Sequence, residues 1–136
     1  MNDHQESNIT ARVKLTIHSE ERFFGPGICE LLEKIEETGS IQAAAAEMKM
    51  SYTKAWKIIN RAEKEMGVSL IVRISGGKNG GSSVLTKAGE RAVSVYREME
   101  RKLAETAGIL LELNRESFRP EEPADEQAIE NEDLAL

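Results

Sequence analysis

The chain has one cysteine, Cys29, and two histidines, His4 and His18, in 136 residues. A single thiol excludes an internal disulfide and any metal motif built on paired cysteines, and its expected place is a buried position on a helix. Neither histidine has cysteines or carboxylates around it at ligand or catalytic spacing, so no catalytic residue, cofactor or metal is assigned and an enzyme is not expected. No apolar run approaches the roughly 18 residues of a membrane span, and the start, Met1-Asn2-Asp3-His4-Gln5-Glu6, is polar and acidic. The expected compartment is the cytoplasm, without a membrane partner. The length leaves room for one domain with a modest core, 40% of residues being apolar, and none for a second, ligand-binding domain.

Positive charge is scarce overall. The net charge is -6 and the pI near 5.1, which taken alone argues against a nucleic-acid binder. The average hides a segregation. From Glu116 to Leu136 eight carboxylates face one arginine, Arg119, for a net -7, and the other 115 residues are close to neutral. Between Lys49 and Arg91 nine cations face only Glu63, Glu65 and Glu90, a net +6.

The pattern along the chain implies a mainly α fold with a small β component. Residues 1–9 read as a disordered start. Thr10 to Ile17 alternates with Val13, Leu15 and Ile17 on one face, which predicts a half-buried strand. Pro26 opens a helix through Cys29, Leu31, Leu32 and Ile35 that stops at Gly39. Ser40 caps a short helix from Ile41 to about Met48, rich in alanine, and Ser51 caps another that ends at Gly67. On that helix Tyr52, Ala55, Trp56, Ile59 and Met66 are expected to face the core, with Lys54, Lys57, Arg61 and Lys64 on the opposite stripe.

Val68 to Ile74 and Ser82 to Leu85 read as strands around Gly76-Gly77-Lys78-Asn79-Gly80-Gly81. Four glycines in six residues suit a turn that lets backbone approach another molecule. A nucleotide phosphate loop would need a helix, often after Gly-Lys-Ser/Thr, where a second strand follows here. Thr86 caps a final helix from Lys87 to about Leu113, about 40 Å long at 1.5 Å per residue. Its apolar positions Ala92, Tyr96, Met99, Leu103, Thr106, Leu110 and Leu113 make a heptad-like seam. Past Asn114, Pro120 and Pro123 punctuate an acidic stretch, 115–136, too poor in apolar residues to fold.

Two capped helices a few residues apart, then a glycine-tipped hairpin, read as a winged helix-turn-helix over residues 10–114, with a long dimerisation helix at about 86–113. The helix opened by Ser51 is expected in a DNA major groove. Thr53, Lys54, Lys57, Asn60 and Arg61 are its candidate contacts, with Ser51 at its cap and the Tyr52 hydroxyl at the DNA edge. Of these, Thr53, Lys54 and Lys57 are expected to read bases. Ser40 and Gln42 would meet the phosphate backbone at the preceding helix start. Arg73, Lys78 and Asn79 on the wing would reach flanking phosphates or the minor groove. Tyr96, Met99, Leu103 and Leu110 are the expected dimer interface.

Gly39-Ser40-Ile41, Ser51-Tyr52 with Ala55-Trp56 and Ile59-Asn60, Gly76-Gly77-Lys78 with Gly80-Gly81, and Leu85-Thr86 with Gly89 resemble the N-terminal DNA-binding domain of ModE-type, molybdate-responsive transcriptional regulators. More distantly they are similar to the winged helix of LysR-type regulators. The resemblance covers roughly Ala11 to Leu113. It implies a dimer joined through the long helix, double-stranded DNA as partner and transcriptional regulation as the function. Full-length regulators of this type add C-terminal molybdate-binding domains; the 22 residues after Asn114 are too few for one, so direct molybdate binding is not expected. The alternative from another class is a winged-helix module that docks or dimerises with proteins and does not bind DNA, which the net acidity would suit.

Overall fold

The computed structural model describes residues 8–76 and 81–119. Val13–Leu103 is one compact unit, and the described parts of a second are residues 8–12 and 104–119. The element order is β1 (Ile17–His18), β2 (Arg22–Phe24), α1 (Pro26–Thr38), α2 (Ile41–Glu47), α3 (Tyr52–Met66), β3 (Ile71–Ile74), β4 (Ser82–Leu85) and α4 (Lys87–Leu113).

Local chemistry sets these boundaries. Proline stands at the start of α1, and α1 and α3 both end on a glycine in the left-handed region, Gly39 at φ 75° and Gly67 at φ 71°. Ser40 Oγ accepts the Ala43 amide and Ser51 Oγ the Lys54 amide, each at 3.0 Å. Each cap satisfies a donor that helix geometry leaves orphaned. The turn between α2 and α3 carries Lys49 at φ 58°. Thr86 caps α4 as expected, its hydroxyl accepting the Gly89 amide at 2.9 Å while donating to the Ser69 carbonyl at 2.7 Å.

The core lies where α1, α2 and α3 meet. Leu31, Leu32 and Ile35 from α1, Ala44 and Ala45 from α2, and Ala55, Ile59 and Ala62 from α3 are buried together. The alanines of α2 bring its backbone close to both neighbours. Cys29 is fully buried in this core, and burial pushes its thiol up to about 11. The wing hairpin β3–β4 pairs Ile71 with Leu85, Val72 with Val84, Arg73 with Ser83 and Ile74 with Ser82. One face of the ladder packs inward through Ile71 and Leu85, and the Ser83 amide donates to the Gly39 carbonyl at 2.8 Å. At the base of the wing Glu63 Oε2 accepts the Leu70 and Ile71 amides at 2.7 and 3.3 Å, joining α3 to β3.

Several expectations need correction. The predicted strand from Thr10 to Ile17 is regular only at its end, where Ile17–His18 pairs with the unanticipated β2. The Leu15 carbonyl instead accepts the Tyr96 hydroxyl at 2.7 Å. That contact belongs to a Tyr96 that is 1% exposed and tilted against Phe24 at 5.3 Å between ring centroids. Tyr96 is therefore a core residue of its own chain, since the α4 seam first turns inward over the β1–β2 hairpin. Tyr52, expected in the core, is 39% exposed and turns toward Arg73 of the wing; Ala62 is buried on α3 instead.

In the second unit, Leu110 is 54% exposed and the Asn114 amide side chain donates to its carbonyl at 2.8 Å. A 3-10 turn at Arg115–Phe118 follows, with Arg115 paired to Glu112 at 3.2 Å, so regular structure runs past the boundary expected at 114. Most of the start expected to be disordered and of the acidic tail, residues 1–7 and 120–136, lies outside the described residues.

Candidate nucleic-acid interface

α3 turns about 100° per residue, so its buried Ala55, Ile59 and Ala62 define one side and leave three others. Thr53, Lys57, Asn60 and Lys64 point away from the core and are exposed. Tyr52 and Trp56 face the wing, whereas Lys54, Ile58 and Arg61 face the β1–β2 hairpin. Of the basic stripe expected from the sequence, Lys54, Lys57 and Arg61 border the hairpin side together, and Lys64 stays apart on the outer face.

On the wing side a polar cavity of about 220 Å³ lies among Ser40, Gln42, Tyr52, Arg73, Ser82 and Ser83. Arg73 is held there twice: its guanidinium carbon sits 5.1 Å from the Trp56 ring centroid, and it donates to the Tyr52 hydroxyl. Tyr52 and Trp56 meet edge-on at 6.4 Å between centroids. A stacked guanidinium keeps some of its donors free while its plane is fixed, which suits a phosphate oxygen. Ser40 contributes a hydroxyl whose oxygen already accepts the Ala43 amide, leaving its proton to donate. Ser51 plays the same capping part for α3 at the edge of the exposed face.

On the hairpin side a cavity of about 350 Å³ is lined by Arg22, Lys54, Lys57 and Arg61 over an apolar floor that includes Phe23, Phe24 and Ile58. Arg61 pairs with the exposed Glu21. Among the described residues no carboxylate pairs with Arg22, Lys54 or Lys57. Lys78 and Asn79, assigned to the wing tip, lie outside the described residues.

Ser40, Gln42, Tyr52 and Arg73 are therefore brought to one flank of α3, Thr53 and Asn60 to its outer face, Lys54 and Arg61 to the other flank, and Lys57 to the edge between the outer face and that second flank. Sequence reasoning missed Arg22, Ser82 and Ser83, and it missed that Trp56 orients Arg73. The signal for Trp56 was available: an aromatic at the fifth position of α3 sits one turn from Tyr52. Nothing local marked Arg22, which reaches the site only through the hairpin. Among the described residues no group of three or more histidine, cysteine or carboxylate side chains stands close enough to hold a metal, and no helix is long and apolar enough to cross a membrane.

Residues 29–90 match the family described as bacterial regulatory helix-turn-helix protein, lysR family. A molybdenum transport protein ModE of Herbaspirillum seropedicae is 35% identical over 94 residues, 69% of this chain and 33% of that protein. A namesake from Azotobacter vinelandii is 43% identical over 70 residues, 52% of this chain and 26% of its own length. The DNA-binding transcriptional dual regulator ModE of Escherichia coli (strain K12) is 36% identical over 87 residues, 63% of this chain and 33% of that protein. The chain spans about a third or less of the length of these relatives. Over residues 29–90 the chain matches a lysR-family bacterial regulatory helix-turn-helix domain, and in its N-terminal region it is similar to ModE-type regulators.

Proposed function

We propose that this chain is a homodimeric, sequence-specific DNA-binding transcriptional regulator that seats α3 in the major groove of double-stranded DNA. The observation that carries this reading is the outer face of α3, with exposed Thr53, Lys57 and Asn60 between two polar cavities that hold Arg73 on one side and Lys54 and Arg61 on the other. Base edges are read from the outer face, and phosphates are held at the flanks. The name of the Escherichia coli relative, a DNA-binding transcriptional dual regulator, agrees with this arrangement.

Dimerisation is assigned to α4. Met99 and Leu103 are 40% and 37% exposed, and Met99 borders an almost wholly apolar groove of about 210 Å³ with Ile17, Phe23 and Met66. Leu110 continues the same spacing along the helix. Tyr96 is left out of this interface because its ring is already used within the subunit. Direct molybdate binding is not part of the proposal: the cavities beside α3 are open, and holding a small free oxyanion at micromolar concentration needs converging donors in an enclosed site.

Affinity for a labelled duplex should fall steeply with salt, since roughly eight phosphate contacts per dimer imply a log-log slope on the order of -7. The competing reading, a protein-docking module, draws on the outer wing face, where Val72, Ile74 and Val84 are exposed. A slope near zero would favour it and remove the DNA model.

A further inference from the structure

Arg22 has no part in the interface read from the sequence, yet it closes the hairpin-side cavity. Three elements meet there: the β1–β2 hairpin brings Arg22, α3 brings Lys54, Lys57 and Arg61, and the first turn of α1 brings Gly27 and Ile28. Glu21 neutralises Arg61 alone, so three positive charges remain around one cavity without a partner among the described residues. The first turn of α1 adds to the field, having neither an acidic residue nor a side-chain cap, and a side chain at Gly27 would meet nothing within 4 Å. Like charges gathered this way repel one another in the folded chain, and an anion is what relieves them. Among the described residues no ion pair holds the Arg22 side chain in place. Its strand pairing with His18 is made by backbone, and its side chain is exposed.

We propose that this groove binds a phosphate group, with Arg22 supplied by the hairpin. In the DNA complex it takes a backbone phosphate on the flank of α3 opposite the Arg73 cavity. This rests on the DNA-binding reading for its source of phosphate, but not for its chemistry. A helix with its side chains is about 10–12 Å across and the major groove about 12 Å wide, so a seated helix has a phosphate backbone on each side. Two cationic cavities on opposite flanks of α3 match two backbones. The β1–β2 hairpin thereby becomes a third DNA-contacting element beside the recognition helix and the wing.

The test compares wild type, Arg22→Gln and Arg22→Lys, after thermal melts establish that all three fold. Each is titrated across a salt series against a labelled duplex selected from random sequence and against a scrambled duplex. One released counterion of weight 0.9 corresponds to about an eightfold loss per subunit at 0.1 M salt. Arg22→Gln should show that loss on both duplexes alike, with a slope shallower by about 0.9 per subunit, and Arg22→Lys should retain most of the affinity. Wild-type DNA binding that Arg22→Gln leaves unchanged in affinity and slope overturns the proposal. If the wild type binds neither duplex, the DNA reading fails, and inorganic phosphate followed by amide NMR decides the groove. Shifts at Arg22, Gly25 and Gly27 that are absent in Arg22→Gln would assign it to a small phosphate ester, and no shift at millimolar phosphate would overturn it.

Discussion

Replacing Gly89 with alanine should destabilise this fold, although glycine-to-alanine changes inside helices ordinarily stabilise by about 1 kcal/mol. Gly89 lies in the first turn of α4, where a Cβ would stand 2.4 Å from the Leu70 carbonyl oxygen and 3.3 Å from its carbon. That oxygen already accepts the Thr86 amide at 2.9 Å, so neither side of the contact is free to yield. Relief requires α4 to move off Leu70. Overpacking of this kind costs about 1–3 kcal/mol, and stretching the Thr86–Leu70 bond about 1 kcal/mol more. Set against the helix gain, the net loss is about 1–3 kcal/mol. Gly108, in the same helix with nothing within 4 Å of its virtual Cβ, is the internal control and should gain up to about 1 kcal/mol as alanine. Urea unfolding of both variants, followed by Trp56 fluorescence and helical circular dichroism, measures the difference. Equal stabilisation of the two variants would refute the close approach of α4 to the base of the wing.

Three further outcomes are expected. Met99→Glu combined with Leu103→Glu should give folded monomers by sedimentation, because both side chains are part-exposed in the single subunit and only a second copy would strip their charges of water; a stable dimer would rule the seam out. Lys57→Ala should change which sequences are selected, at about 1–3 kcal/mol for a good bidentate base contact, whereas Lys54→Ala, on the flank, should weaken all sequences about equally. The reverse pattern in a random-sequence selection would return Lys54 to the base-reading face. Calorimetric titration with molybdate should show no saturable site at micromolar concentration; one that appears would contradict the open geometry of the cavities beside α3.

Much of the domain was legible because its signals are local. Serine caps at Ser40 and Ser51, the stops at Gly39 and Gly67, and the threonine cap at Thr86 act within one turn of the backbone. The boundaries of α1, α3 and α4 therefore follow from spacing along the chain. The heptad-like repeat in α4 likewise located an apolar stripe, though not which of its residues the chain's own core would cover.

What lay beyond the sequence was decided by contacts across long separations. Tyr96 and Met99 share one stripe, yet Tyr96 turns into its own core because the Leu15 carbonyl, 81 residues earlier, is there to accept its hydroxyl. Tyr52 and Arg73, 21 residues apart, become one hydrogen-bonded unit only when the wing folds back over Trp56. Lys54 and Arg61 part company with the outer face of α3 because the β1–β2 hairpin docks beside them and brings Arg22. Periodicity determines which residues share a side of a helix, since that depends on a fixed rotation per residue. Whether that side meets the core, solvent or a distant cation depends on which other element is packed against it, and only the tertiary structure decides that.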